Sequence, residues 1–518
     1  MADTATAEFL AEEQENDLSP ARRNVILFTV VLSATLYSTT ILVVSTILPQ
    51  LQGAMSATAD EIVWTMTFNI LATAVVTPTT GWLVAQGGKR QVMLWSVLGF
   101  SIATYLCGAA SSLEELIFWR VVQGALGAPL TPLTQTVTLD TFPKRQHGTA
   151  VGLFGIGVVL GAFLGPVIGG VMAELASWRW AFYIIAPVGL IAFVGLYLAL
   201  PRDDRSDERV PLDWTGFILL STAIACTQLV LSRGQRLDWF DSGEILLEIF
   251  LAGLTGYLFV VHSLSAKKPF INLRLLLNRN YALGLVLVFI YGMLNFTPMV
   301  VLPSLLREQV GFPDSLIGYV LGSRGFGAMI GFFIAMFIGQ KYPRKCMLAG
   351  FSALVIAGLW LMTFDLNVTF NELILNGIVQ GLAVGTIWVP LTVATFSTLP
   401  ASVRPETSAV FHLLRNIGSS FFISMTVTQI VRSTAMNYEH MTELVTPFSQ
   451  NFALPWVSGE WNMDDAQSLA RLSKEMARQA AMISYLNAFG LYTLVSAAAI
   501  PLILLVSKPQ KAGKKKTS

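Results

Sequence analysis

The segment Glu115-Leu116-Ile117, followed by Val122-Gln123-Gly124, returns 257 positions later as Glu372-Leu373-Ile374 followed by Val379-Gln380-Gly381. The echo continues with Pro132-Leu133-Thr134 against Pro390-Leu391-Thr392, then Thr141-Phe142-Pro143 against Thr398-Leu399-Pro400. Both copies lie in long apolar stretches. A repeat at this separation calls for two related halves that run in the same direction, and any fold for the chain must place the two copies equivalently.

The chain is 54% hydrophobic and 13% charged, with a mean hydropathy of +0.62, which no ordinary soluble core accounts for. A membrane helix takes roughly 20 apolar residues. Fourteen stretches qualify, at 24–48, 62–85, 91–110, 116–138, 148–173, 181–200, 214–231, 244–265, 281–302, 316–338, 346–364, 373–396, 407–431 and 484–506. The expected fold class is therefore an all-α polytopic membrane protein. The repeat links span four to span twelve, eight apart, so two six-helix halves are separated by two inserted central helices, spans seven and eight. The expected divisions are a cytoplasmic tail at 1–23, an N-terminal half at 24–200, the inserted pair with its linkers at 201–279, a C-terminal half at 280–506 and a basic tail at 507–518. The C-terminal half includes a long outer loop at 432–482 that carries Trp456 and Trp461 and ends in Asp464 to Met482, a polar stretch of helical composition.

Lys and Arg set the expected orientation. With the N-terminus cytoplasmic, the inner segments hold about 22 of them, among them Lys144-Arg145, Lys267-Lys268, Arg344-Lys345 and Lys514-Lys515-Lys516, and the short outer loops about four. Both ends are then cytoplasmic. The acidic first twenty residues lack an apolar h-region, so they do not read as a signal peptide. Cys107, Cys226 and Cys346 are far apart within or beside spans and suggest no disulfide framework.

Several motifs carry chemistry. Between spans two and three stand Gly81-Trp82-Leu83 and Gly87-Gly88-Lys89-Arg90, glycines for a tight turn with basic residues to hold it on the inner face. Arg120, Gln123, Gly124 and Gly127 share one face of span four. An Arg at a helix centre is unfavourable by roughly 2.5–3.5 kcal/mol, so it faces the bundle interior or water, as a functional group or as a brace between helices. In span five Gly157, Gly161, Gly165 and Gly169 recur every four residues beside Pro166 and Gly170, a ridge that lets another helix approach closely.

The turn, the span-four Arg and the span-five ridge resemble the signatures of the major facilitator superfamily. With Trp178-Arg179-Trp180-Ala181-Phe182-Tyr183, Leu212-Asp213-Trp214-Thr215-Gly216 and Arg415-Asn416-Ile417-Gly418, the chain resembles the fourteen-span drug:proton antiporters of the EmrB/QacA type over nearly its whole length. The resemblance implies the major facilitator fold, a proton-coupled multidrug exporter of the inner (plasma) membrane, a role for Arg120 in proton transfer, and, in a Gram-negative host, a periplasmic adaptor protein and an outer-membrane channel as partners.

Two departures stand out. The Asp usual in the turn between spans two and three is Ala85, and the Asp usual in span one is Thr40, within the hydroxyl run Tyr37-Ser38-Thr39-Thr40. No Asp or Glu lies near a span centre; the embedded charges are Arg120, Arg324 and Arg415, with His412 one turn from Arg415. Cations in that position need water, backbone carbonyls or an anionic ligand. They point to an acidic or amphipathic substrate or to helix braces, and His412 to a proton carrier or a packed polar residue. Asn69, Tyr291, Asn295 and Trp388 are the further candidates for a cavity lining. The sequence has no phosphate-binding loop to power transport by nucleotide hydrolysis and no metal-ligand cluster, so an enzyme, a cofactor and a nucleic-acid partner are not expected. A non-coupled exporter or flippase of a specific acidic metabolite or lipid is the rival reading.

Overall fold

Each half opens its fourth span in the same way, and this is why the repeat begins with glutamate. In the computed structural model, which describes residues 19–143, 146–201, 211–339, 341–445 and 465–505, helix Leu113–Gly127 starts from Ser112, whose hydroxyl accepts from the Glu115 N–H, while the Glu115 carboxylate accepts from the Ser111 N–H at 2.9 Å. Helix Phe370–Phe396 starts from Thr369, with the Glu372 carboxylate accepting from the Thr369 N–H at 3.0 Å. The glutamates satisfy backbone donors that a helix start leaves open.

Among the described residues, 11 helices are long and apolar enough to cross a membrane. One of them, Glu61–Ala109, is two spans, because Gly88 breaks it at φ 77° and ψ 158°. Arg120 Nε donates to the Thr65 carbonyl at 3.2 Å, and its partner Gln123 donates to Thr104 at 2.6 Å. In an unbroken helix Thr65 and Thr104 would be roughly 58 Å apart, so the chain doubles back at Gly88. The consecutive helices Leu113–Gly127 and Leu130–Thr141 form span four, and Arg404–Leu444, more polar because it carries His412, Arg415 and Asn416, forms span thirteen; the spans then number fourteen. Two large cores result, one built between Ile26 and Leu200, the other mostly between Tyr281 and Ile503.

The inserted pair, Trp214–Arg233 and Gly243–Ser265, is clamped at both ends. Arg233 meets Glu244 at 2.6 Å and Glu248 at 2.5 Å, and at the other end His262 meets Asp213 at 2.9 Å. Asp213 also caps span seven by accepting from the Gly216 N–H at 2.9 Å. Span seven lies over the boundary between the halves: Ile224 is buried with Ala74 of span two and Leu413 of span thirteen, and Gln228 donates to Ser420 at 3.1 Å.

The described ends of the segment 432–482 are helical: the helix of span thirteen continues to Leu444, and the polar stretch before span fourteen is helix from Ala466. The two extensions support each other: Asn437 donates to Ser484 at 3.1 Å, Tyr438 and Ser473 share a hydrogen bond of 2.8 Å, and Ala480 is fully buried. Low hydropathy hides a helix that packs on its neighbour outside the apolar layer. Trp456, Trp461, Lys144-Arg145 and the basic tail lie outside the described residues.

Candidate functional site

Three arginines sit inside the bundle, and the ion pairs formed among the described residues involve none of them. Their surroundings differ. Arg120, 2% exposed, bonds the Thr65 carbonyl and the Gln123 side chain, while Asn69 donates to the Arg120 carbonyl at 2.7 Å. With Gln123 bonded on to Thr104, this chain ties spans two, three and four into one block. Arg120, Gln123 and Asn69 thus come together as a brace, and Asn69 stands apart from the other proposed lining residues.

Arg324 and Arg415 are held more loosely. Among the described residues Arg324, 8% exposed, reaches only the Leu294 carbonyl at 3.5 Å and Asn295 Oδ1 at 3.4 Å, and its buried Nε has no partner. Arg415 bonds its own neighbour Asn416 at 3.1 Å and lies 5.5 Å from the Trp388 ring and 6.0 Å from that of Phe296. Trp388 in turn packs 5.1 Å from Tyr291 and 5.9 Å from His412. The structure therefore brings Tyr291, Asn295, Arg324, Trp388, His412 and Arg415 into one region of the C-terminal half. Thr40 is not part of it: buried in span one, its hydroxyl donates back to the Leu36 carbonyl at 2.8 Å.

A second group joins the halves at the end of the bundle that carries the Gly88 turn. Asp140, at the end of span four, meets Lys89 at 2.6 Å and Arg404 of span thirteen at 2.5 Å. Ser408 donates to the Pro132 carbonyl at 3.2 Å, and His412 Nε2 bonds Gln135 Oε1. Gly81 faces Glu406 so closely that a Cβ there would lie 2.9 Å from the Glu406 Cβ. Arg90 lies over Tyr197 and donates to its carbonyl at 2.7 Å. Gln135, Asp140, Arg404 and Ser408 did not stand out in the sequence. Asp140 and Arg404 are 264 positions apart, and the one available signal was a lone acidic residue closing a span opposite a basic turn.

The span-five ridge packs on span one. Cβ atoms at Gly161, Gly165 and Gly169 would lie 2.3, 2.8 and 3.1 Å from the carbonyl oxygens of Thr35, Thr39 and Val43, so small residues there permit backbone contact. Gly170 has room, with nothing nearer than 3.9 Å, and Pro166 is accommodated within the continuous helix His147–Leu175.

The profile of the Major Facilitator Superfamily matches residues 26–423. The chain belongs to that superfamily. It is thus a multi-pass membrane protein of a transporter family. It is 28% identical over 469 residues to the multidrug export protein EmrB of Escherichia coli, covering 90% of this chain and 92% of that protein. It is 26% identical over 470 residues to the fatty acid resistance protein FarB of Neisseria gonorrhoeae, with 90% and 92% covered. The solved proton:xylose symporter XylE superposes with a TM-score of 0.60 at 13% identity, over 94% of this chain and 96% of that one, and shares the fold. In the basic turn Ala85 is exposed, and the acidic group beside Lys89 is Asp140.

Proposed function

We propose that this protein is a secondary active exporter of small amphipathic compounds in the inner membrane, exchanging substrate for protons, with both termini and the Gly88 turn on the cytoplasmic side. The observation that carries the reading is the set of polar contacts between the halves at one end of the bundle. Asp140 with Arg404, Gln135 with His412 and Pro132 with Ser408 each join span four to span thirteen. An alternating-access carrier needs such an end to open and close, and hydrogen bonds and ion pairs that water can replace make the change reversible. Likeness over some nine-tenths of the chain to a protein named for multidrug export supports the direction and the substrate class. His412 is the residue through which protons act in this reading, since its bond to Gln135 crosses between the halves; Arg120 braces the N-terminal half. In a Gram-negative host a periplasmic adaptor and an outer-membrane channel complete the assembly, and the paired extensions of spans thirteen and fourteen are the elements proposed to meet the adaptor.

The test is the internal pH of inverted vesicles during addition of cationic, neutral and anionic amphipaths. Substrate-dependent proton release, lost in His412→Gln, is the expected result. Flux of labelled substrate with no proton movement would instead support an uncoupled exporter or flippase of an acidic metabolite or lipid. Thr40 in place of a span-one carboxylate, embedded charges that are all basic, and a relative named for fatty acid resistance favour that second reading.

A further inference from the structure

We propose that Arg324 and Arg415 form an anion-recognition site, in which the carboxylate of an acidic amphipath binds the guanidinium groups while Tyr291 and Trp388 contact its apolar body. The proposal rests on the export reading above and narrows its substrate from amphipaths to carboxylates.

One short stretch of span nine organises the site. On one side, Asn295 and the Leu294 carbonyl touch Arg324. On the other, Gly292 lets span thirteen come so near that a Cβ there would lie 2.0 Å from the Arg415 carbonyl, and Phe296 lies 6.0 Å from the guanidinium. Tyr291 is within electrostatic reach of both arginines. Both arginines therefore flank one stretch of span nine, and neither meets a carboxylate among the described residues. Arg324 keeps an unpartnered Nε although it is 8% exposed, and Tyr492, within electrostatic reach of Arg324, has a buried hydroxyl with no partner. Unpartnered buried donors are costly, and an oxyanion between them supplies the missing acceptors. A guanidinium fork matches a carboxylate in shape as well as charge.

The aromatic side explains the rest of the ligand. Trp388 and Tyr291 are each 4% exposed and pack at 5.1 Å, with Arg415 5.5 Å from the Trp388 ring. Such rings offer area to a flat or chain-like apolar group. Because both lie inside the bundle and not on its lipid-facing surface, a free amphipath suits the site better than a membrane lipid, although a lipid phosphate would present similar oxygens.

The experiment measures binding of labelled decanoate to the purified full-length protein in phosphatidylcholine nanodiscs, with decyltrimethylammonium as competitor. Arg324→Gln and Arg415→Gln should each weaken binding at least about tenfold, Arg324→Lys should recover part of the loss, and the cation should not compete. Asn295→Ala, a mild change, should weaken binding about threefold and serves if either arginine variant fails to fold. Unchanged decanoate affinity in the folded variants, or displacement by decyltrimethylammonium, would overturn the proposal. Displacement by phosphatidylglycerol in the nanodisc would overturn it in favour of a lipid headgroup. Vesicle flux separates this from the export reading: decanoate efflux that is unaltered in Arg324→Gln sinks the site alone, whereas wild-type vesicles that move no amphipath sink the export function.

Discussion

The two halves share one helix crossing and use it differently. In the N-terminal half Gly124 of span four lies against the backbone of Asn69 in span two; in the C-terminal half Gly381 of span twelve lies against the backbone of Arg324 in span ten. Asn69 and Arg324 thus hold equivalent places. The buried cation of the first half is on span four, at Arg120, and its counterpart by the repeat is Gly377. In the first half the cation is tied to Thr65 and, through Gln123, to Thr104. In the second, Gln380 bonds Asn376, which donates to the Ala357 carbonyl at 3.0 Å, so the brace is made without any charge and Arg324 is left over. The contacts that tie the second half together at this crossing form without its arginine, which leaves Arg324 available for the anion site proposed above.

The crossing itself should give the largest effects. A Cβ at Gly381 would lie 1.9 Å from the Arg324 carbonyl oxygen, and one at Gly124 would lie 2.4 Å from that of Asn69. Backbone is the obstacle in both, so Gly381→Ala and Gly124→Ala should each cost about 3 kcal/mol, the upper end of ordinary overpacking. Gly170→Ala, with free space around it, should be silent. Melting curves of the purified variants test this, and tolerance at one of the two crossings would mean that the two halves do not pack there in the same way.

The arginines separate the halves by the opposite logic. Arg120→Met leaves the Gln123 side-chain oxygen without its partner in a buried place, a loss of about 2–3 kcal/mol. Arg324→Met removes only contacts of 3.4–3.5 Å and an unpartnered charge, so stability should change by less than about 1 kcal/mol or rise. Comparable losses in the two variants would show that Arg324 is structural after all.

The repeat made the helical halves and the inserted pair legible because period and hydropathy are local properties. The helical extension of span thirteen past 431 was not, since residues such as Asn437 and Tyr438 read as solvated until their partners on the neighbouring helix are known. The candidate site divides in the same way. Tyr291, Arg324, Trp388, His412 and Arg415 were visible as polar or aromatic groups in apolar runs, and the structure gathers them. Asn69 and Arg120 were equally visible, yet what decides their role is the carbonyl each one meets, which no spacing reveals. Gln135 and Asp140 acquire meaning only against His412 and Arg404, across a distance in sequence that only the fold closes.

Between the halves, charge works at partial exposure, and the expected effect is smaller. The side chains of Asp140, Lys89 and Arg404 are 22%, 31% and 12% exposed, so water screens their attraction. Asp140→Asn should weaken closure at this end by about 1 kcal/mol, roughly a fivefold shift toward the open form. Maleimide labelling of Ser408→Cys reports it: faster modification in the Asp140→Asn background is expected, and an unchanged rate would mean that these ion pairs do not hold the halves together.

The smallest effect belongs outside both halves, at the clamp of the inserted pair. Partial burial raises the affinity of the Asp213 carboxyl for a proton, but the Gly216 N–H, the His262 ring and the Phe270 N–H together outweigh it and hold the group below its ordinary value. A carboxyl lowered on folding adds stability that is complete above its unfolded value, near pH 4, and is lost as pH falls through the lower native value. Wild-type protein should therefore lose part of its melting temperature below about pH 4, and Asp213→Asn, which keeps an oxygen for the Gly216 N–H, should flatten that part of the profile at a cost under about 1 kcal/mol at neutral pH. An identical acid profile in the variant would place the sensitivity elsewhere. Because span seven touches span two and span thirteen, the same variant also sharpens the main comparison: a clamp that only fastens the inserted pair leaves the contrast between Arg120→Met and Arg324→Met intact, whereas a contrast that shrinks when the clamp is loosened would mean that the inserted pair helps to hold the two halves in their different roles.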